Sequence, residues 1–158
     1  MKTLTKTLLY LQMAAILITT ALAGPHTKEK HFQGKVSSFE TAQFVGTTMF
    51  VDGSGTGQGT HLGRFTYNYE FTVDLPTLDA VGSAEFVAAN GDSFTTTITP
   101  TVSDGAPGFA HLIETHTIVG GTGRFAGATG EFTLDRLFSF ATSISIGTVD
   151  GEIVIHKN

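Results

Sequence analysis

The sequence contains no cysteine and no tryptophan, and its few basic residues form no cluster. Without cysteine the chain can form no disulfide, so its stability must come from a buried core and from paired sheet edges. Nine Lys and Arg face fourteen Asp and Glu, and this balance argues against nucleic acid and anionic membranes as partners. Apolar residues at helical spacing are also missing, so we predict no long helix after the first residues.

Residues 1–23 have the features of a cleaved signal peptide. Two lysines precede an apolar run over residues 8–22, which ends in Ala-Leu-Ala, the small residues that signal peptidase needs. A membrane anchor is the alternative, but the run is shorter than the roughly 20 residues that span a bilayer. We therefore expect cleavage before Gly24, a secreted or periplasmic location, no membrane attachment after cleavage, and a single domain over residues 24–158.

The mature part of the chain shows the two-residue period of β-strands. Between residues 65 and 75 every odd position is apolar or aromatic and every even position is polar, which predicts one buried and one solvated face. Turn signals stand at Asp52-Gly53, Leu75-Pro76, Asn90-Gly91-Asp92, Asp104-Gly105, Gly120-Gly121 and Asp150-Gly151. The predicted strands lie near residues 31–39, 43–51, 57–63, 65–75, 80–89, 93–101, 109–119 and 131–155, the last of them broken near 140–142.

Short turns place consecutive strands side by side and antiparallel. A long sheet in a chain of this size has two exposed edges, and closing the sheet on itself removes both of them. We therefore predict an all-β fold, an eight-stranded antiparallel up-and-down barrel.

The most distinctive local sequence runs from Gly120 to Gly130 and reads Gly-Gly-Thr-Gly-Arg-Phe-Ala-Gly-Ala-Thr-Gly. A dinucleotide-binding pattern fits part of it, but its later glycines oppose the helix that such a site needs. The stretch resembles the Gly-Gly-Thr-Gly-x-Phe signature of dirigent proteins and allene oxide cyclase-like barrels, and Gln58-Gly59 resembles a strand start of that group. Residues 60–65 and 120–125 also resemble pieces of uncharacterised secreted bacterial proteins.

This resemblance implies an eight-stranded antiparallel barrel with a central cavity, a homotrimer, and no cofactor. In the related barrels the signature ends one strand, turns, and starts the next strand with a bulge. No active-site residue carries over, because Thr129 replaces the Arg typical of the dirigent signature. The acidic pocket residues of dirigent proteins, and the Glu and Asn of allene oxide cyclase, match no motif of this chain.

Three polar residues lie where the strand pattern allows an inward direction. Arg136 shares its parity with Phe132 and Leu134, whereas Glu114 and His116 lie in a strand with apolar residues on both parities, so its inward face is ambiguous. If all three face the lumen, they are candidate catalytic residues, with Glu114 and His116 as an acid/base pair and Arg136 for an anionic group. The alternatives are a structural Glu114–Arg136 ion pair with His116 exposed, or a shifted strand register.

Tyr67, Tyr69 and Phe71 are the candidate ligand-binding residues, since they lie on the apolar face of the clearest strand. They are also what an ordinary barrel core would contain. We predict no metal site: His61, His111 and His116 follow no ligand spacing, and residues 52–57 lack the acidic ligands of a calcium loop.

Three functions fit this pattern. The first is a barrel that binds or steers a small apolar or aromatic molecule in its lumen. The second is a cofactor-free isomerase or cyclase of the allene oxide cyclase type, which uses the polar candidates. The third is a structural or surface barrel whose interior is filled by side chains and takes no ligand.

Overall fold

The computed structural model describes residues 27–156, and the predicted signal segment lies outside these residues. The described chain forms eight strands and one short 3₁₀ turn. The strands are β1 (Thr27–Val45), β2 (Thr48–Gly59), β3 (Gly63–Asp74), β4 (Ala80–Ala88), β5 (Ser93–Asp104), β6 (Phe109–Gly121), β7 (Thr129–Ser139) and β8 (Ile144–His156). Within this range there is no helix with the length and apolar character needed to cross a bilayer.

All eight strands belong to one closed antiparallel barrel in which each strand pairs with its neighbours in sequence. The barrel closes between β1 and β8, which stay in register from Thr27 opposite His156 to Phe39 opposite Ile144. Closure leaves no free edge in the sheet, so no strand edge is open to pairing with another chain. The predicted fold, an eight-stranded antiparallel up-and-down barrel, is therefore confirmed.

The prediction of the first strands is wrong in its boundaries. The segments predicted at 31–39, 43–51 and 57–63 are two long strands, β1 and β2, which turn at Gly46 and Thr47. The predicted turn at Asp52-Gly53 lies inside β2, and the one at Asp150-Gly151 lies inside β8. By contrast, the chain does turn at residues 75–77, 90–92 and 140–143.

The glycines of β2 are explained by packing and not by a turn. Gly53, Gly55 and Gly57 lie opposite Tyr69, Tyr67 and Phe65 of β3, respectively. A Cβ atom on any of the three would overlap the facing aromatic ring. Glycine therefore leaves the space on the inner surface of β2 that the large rings of β3 fill.

The Gly-Gly-Thr-Gly-Arg-Phe sequence closes one end of the barrel. The pairing of β5 with β6 shifts between Thr95 and Thr96, so the bulge lies in the strand before the turn and not at the start of the next one. The 3₁₀ turn Gly123–Phe125 follows. Its Phe125 is fully buried and packs edge-on against Phe94, with 5.4 Å between ring centroids. We call this end, which also holds the β2–β3 and β4–β5 turns, the closed end.

Aromatic rings fill the half of the barrel next to the closed end. Phe86 stacks on Phe94 at 5.0 Å and on Tyr67 at 5.3 Å, and Phe32 meets Phe132 edge-to-face at 5.1 Å. These five side chains are almost completely buried. Offset-stacked and edge-to-face rings are the favoured arrangements, so this half of the lumen is a solid core.

Candidate functional site

The opposite half of the barrel contains a cavity of about 510 Å³. It lies at the open end, where the β1–β2, β3–β4, β5–β6 and β7–β8 turns gather. Its walls are mostly apolar and come from Met49, Val51, Phe71, Val73, Leu75, Leu78, Ala80, Pro100 and Leu112. The polar lining side chains are Glu40, Thr101, Glu114 and Arg136. Cavities of about 300–1,000 Å³ with apolar walls and a few convergent polar groups are typical of small-molecule sites.

A groove of similar size, about 550 Å³, lies on the outside of β2 to β5. Its lining includes Asn68, Glu85 and Thr97, which are exposed side chains of the outer face. A shallow, solvated groove of this kind cannot bury most of a small molecule's surface. The open-end cavity is therefore the better candidate site.

Three charged side chains form the floor of the cavity. Arg136 donates from Nε to Glu114 Oε1 at 2.7 Å, and its Nη2 lies 2.5 Å from the same oxygen. Its Nη1 donates to Glu40 Oε2 at 2.8 Å, to Ser145 Oγ at 3.1 Å and to Tyr69 Oη at 3.2 Å. The guanidinium is thus held between two carboxylates, with hydroxyl groups filling the remaining positions.

Burial and charge act against each other on Arg136. Burial works to lower the pKa of Arg136, but Glu114, Tyr69 and Glu40 outweigh it and raise that pKa, so the guanidinium stays charged. Burial likewise raises the pKa of Tyr69, against the opposing effect of Arg136. The protonated Tyr69 hydroxyl donates to Glu40 Oε2 at 2.7 Å.

Two serines connect β1 and β8 beneath this cluster. Ser38 Oγ lies 2.7 Å from Ser145 Oγ and 3.0 Å from Tyr69 Oη, and both serines are buried. Each polar group of the floor therefore has at least one partner, as buried polar atoms require. The cluster is a connected network that spans β1, β3, β6, β7 and β8.

The structure settles which face of β6 points inward. Leu112, Glu114, His116 and Ile118 point into the lumen, and the residues between them point outward. Glu114, His116 and Arg136 thus come together inside the barrel, with side chains that are no more than 3% exposed. The Glu114–Arg136 ion pair of the structural alternative is present, but His116 is buried and not exposed.

His116 belongs to the packed half of the lumen and not to the cavity. Its ring stacks on Phe132 with 4.7 Å between centroids. Nδ1 lies 3.0 Å from Thr96 Oγ1, and Nε2 lies 3.5 Å from Glu114 Oε2. The ring is absent from the cavity lining, so His116 lies behind Glu114 as seen from the cavity.

The three ligand-binding candidates of β3 all point inward but differ in position. Phe71 lines the cavity, and Tyr69 is bound into the polar floor. Tyr67 is stacked in the closed half, where burial raises the pKa of its hydroxyl. That hydroxyl is the one buried side-chain oxygen or nitrogen of the described residues without a hydrogen-bond partner.

Glu40 is the site residue that sequence reasoning missed. It lies on β1 with the inward parity of Val36 and Ser38, and it lines the cavity. The predicted strand ended at residue 39, one residue before Glu40, so Glu40 was not considered as an inward-facing residue. The sequence did contain a signal: Glu40 is an acidic residue at an even position, like Phe32 and Ser38, so it shares their face of the strand.

The histidines do not form a cluster in the structure. His61 lies in the β2–β3 turn, whereas His111 points outward from β6 and binds Asp135 Oδ1 at 2.7 Å. Over residues 27–156 no group of three or more His, Asp or Glu side chains is arranged to hold a metal ion. The residues 52–57 of the calcium alternative are part of β2.

Comparison with known proteins gives a structural neighbour but no sequence family. No family model matches the chain, and no curated protein sequence matches it either. The solved structure of a pterocarpan synthase dirigent protein resembles it with a TM-score of 0.65 and 13% sequence identity. The similarity covers 87% of this chain and 96% of the dirigent chain. At this identity the likeness shows the fold alone, which is a dirigent-like, eight-stranded antiparallel barrel.

Proposed function

We propose that this protein binds a small apolar or aromatic molecule in the open-end cavity and holds it without forming a covalent bond. The observation that carries the proposal is the combination of an empty apolar volume of about 510 Å³ with one polar cluster at its floor. Apolar walls supply affinity through burial, and the fixed polar floor sets the orientation of the ligand. The dirigent-like fold supports a role in steering such a molecule.

The geometry favours binding over the cyclase alternative. Glu114 and His116 are the acid/base pair predicted from sequence. Glu114 lines the cavity, but the His116 imidazole does not. A general base must come within hydrogen-bond distance of the proton it removes. Among the described residues that line the cavity, the carboxylates of Glu40 and Glu114 are the candidate bases, and no imidazole lies in the lining beside them to complete the predicted acid/base pair.

The third candidate function, a barrel filled by side chains that takes no ligand, fits one half of the molecule. The closed half is filled by aromatic side chains, as a barrel without a ligand would be. The open half is different, since Met49, Val73 and Ala80 face unfilled volume and are only partly buried. Export to a secreted or periplasmic location, as the first 23 residues predict, is part of the proposal.

A substitution that fills the cavity tests the proposed function. Ala80→Phe adds a ring at the cavity wall, whereas Val81→Phe adds the same ring on the outer face of β4, where Val81 is 70% exposed. Native mass spectrometry of the exported protein should show a bound small molecule in the parent chain and in Val81→Phe, but not in Ala80→Phe. Equal retention in both variants would exclude the cavity as the binding site.

A further inference from the structure

The lining of the open-end cavity carries a net negative charge. Its charged members are Glu40, Glu114 and Arg136, which gives two carboxylates against one guanidinium and a formal charge of −1. All three are at least nine-tenths buried, with side-chain exposures of 10%, 3% and 2%. In such surroundings an uncompensated charge acts more strongly than it does in water.

Most of the Arg136 donors are already committed within the protein. Nε and Nη2 are directed at Glu114, and Nη1 is shared among Glu40, Ser145 and Tyr69. A ligand carboxylate could reach the guanidinium only by displacing a buried glutamate that has no other cation nearby. The hydrogen bonds of Arg136 therefore favour a ligand group other than an anion.

Glu40 lines the cavity and keeps one carboxylate oxygen without a hydrogen bond from the described residues. Its Oε2 accepts from Tyr69 and Arg136, whereas its Oε1 accepts no hydrogen bond from any described residue. It is also the most exposed of the three charged side chains. An ionised carboxylate can only accept hydrogen bonds, so a matching ligand must bring a donor.

We propose that the ligand is an apolar cation: a hydrocarbon or aromatic body with a protonated amine that donates to Glu40 Oε1. This inference rests on the proposed function and names the chemical class of its ligand. The ammonium group compensates the charge of the floor, and Phe71 offers a ring in the wall for the body or for a cation–π contact. A neutral hydroxyl donates the same bond without the compensating charge, and a carboxylate adds a second negative charge.

Three probes that share one ring system and differ in the head group test whether affinity falls from an ammonium to a hydroxyl to a carboxylate. They are 2-naphthylmethylamine, 2-naphthylmethanol and 2-naphthoate, titrated at pH 7 and followed by naphthalene emission, since the chain has no tryptophan. We expect the amine to bind about tenfold more tightly than the alcohol, and the naphthoate at least about tenfold more weakly than the alcohol. This comparison needs no variant, so it does not depend on how a substitution folds.

Two matched variants test whether Glu40 causes the preference for the amine. Glu40→Gln should lower the affinity for the amine about tenfold and change that for the alcohol by less than about threefold. Glu85→Gln, which removes the same charge from the outer face of β4, should change neither. Naphthoate binding as tightly as the amine would overturn the cation proposal and leave lumen binding intact. Failure of all three probes to bind would overturn the proposed function itself.

Discussion

Replacing Arg136 with Met removes the one cation of a buried cluster and leaves Glu114 and Glu40 facing each other. Removing one partner of a buried ion pair costs about 3–5 kcal/mol, because the remaining charge stays desolvated. Arg136 and Glu114 are 2% and 3% exposed, so solvent screens this pair little. For a domain of this size the loss corresponds to a fall in melting temperature of about 10 °C.

Urea denaturation followed by circular dichroism measures this loss, with Arg64→Met as the matched control. Arg64 is exposed on β3, so its replacement should change the free energy of unfolding by less than about 0.5 kcal/mol. An Arg136→Met variant within about 1 kcal/mol of the parent at pH 7 would refute the description of the cluster.

Three further outcomes are expected, two from the structure and one from the sequence. Gly55→Ala should destabilise the barrel by about 1–3 kcal/mol, because its Cβ would overlap the Tyr67 ring. Gly120→Ala, where a Cβ meets open space, is its control, and equal unfolding free energies would contradict the packing argument. Burial raises the pKa of Tyr67 and Tyr69, so phenolate absorbance at 295 nm should be absent at pH 10.5 from the folded protein that begins at Gly24 and so lacks Tyr10. The stabilising contribution of both hydroxyls is complete below about pH 10 and is lost above it, so early phenolate absorbance before unfolding would contradict their burial. The homotrimer and signal cleavage predicted from sequence require a native mass of three chains that each begin at Gly24; a single-chain mass would contradict the first, and an intact N-terminus the second.

The barrel was predictable because strand period is a local property. The alternation over residues 65–75 appears in the structure as the alternating burial of β3. Phe94, Thr96 and Ile98 point inward as the weaker pattern of β5 indicated. Patterns of this kind survive small errors in strand boundaries, so the fold class and the closed meander followed from them.

The boundaries of β1 and β2 were not predictable in the same way. Asp52-Gly53 has the sequence of a tight turn, but Gly53 lies inside a strand because the Tyr69 ring covers it. A glycine that makes room for a ring on another strand looks, in sequence, like a glycine that turns the chain. The difference depends on strand register, which is set by contacts between distant residues.

Part of the candidate site could be predicted from sequence because strand parity is a local property. Arg136 stood out because it shares the parity of Phe132 and Leu134, which the structure places in the lumen. The direction of Glu114 stayed ambiguous because β6 carries apolar residues on both faces, and only pairing with β5 and β7 decides it. Glu40 was missed because the predicted strand ended at residue 39, whereas β1 continues to Val45.

The position of the charged cluster is an argument that it serves the ligand more than the fold. Buried ion pairs are often replaceable by apolar residues of similar size with no loss of stability, or with a gain of about 1–4 kcal/mol. The triple variant Glu40→Gln, Glu114→Gln, Arg136→Met removes every charge from the cavity floor without leaving an unpaired one. We expect its free energy of unfolding to exceed that of Arg136→Met by about 2–4 kcal/mol and to approach that of the parent.

The same triple variant should lose the preference for 2-naphthylmethylamine over 2-naphthylmethanol. A stable barrel without charge selectivity would assign the cluster to binding, since the apolar core would then hold the fold without it. The reverse outcome, a triple variant that keeps the amine preference but unfolds as easily as Arg136→Met, would make the cluster a structural element. The cavity would then have to derive any selectivity from its apolar walls, and Glu40 Oε1 would have no part in it.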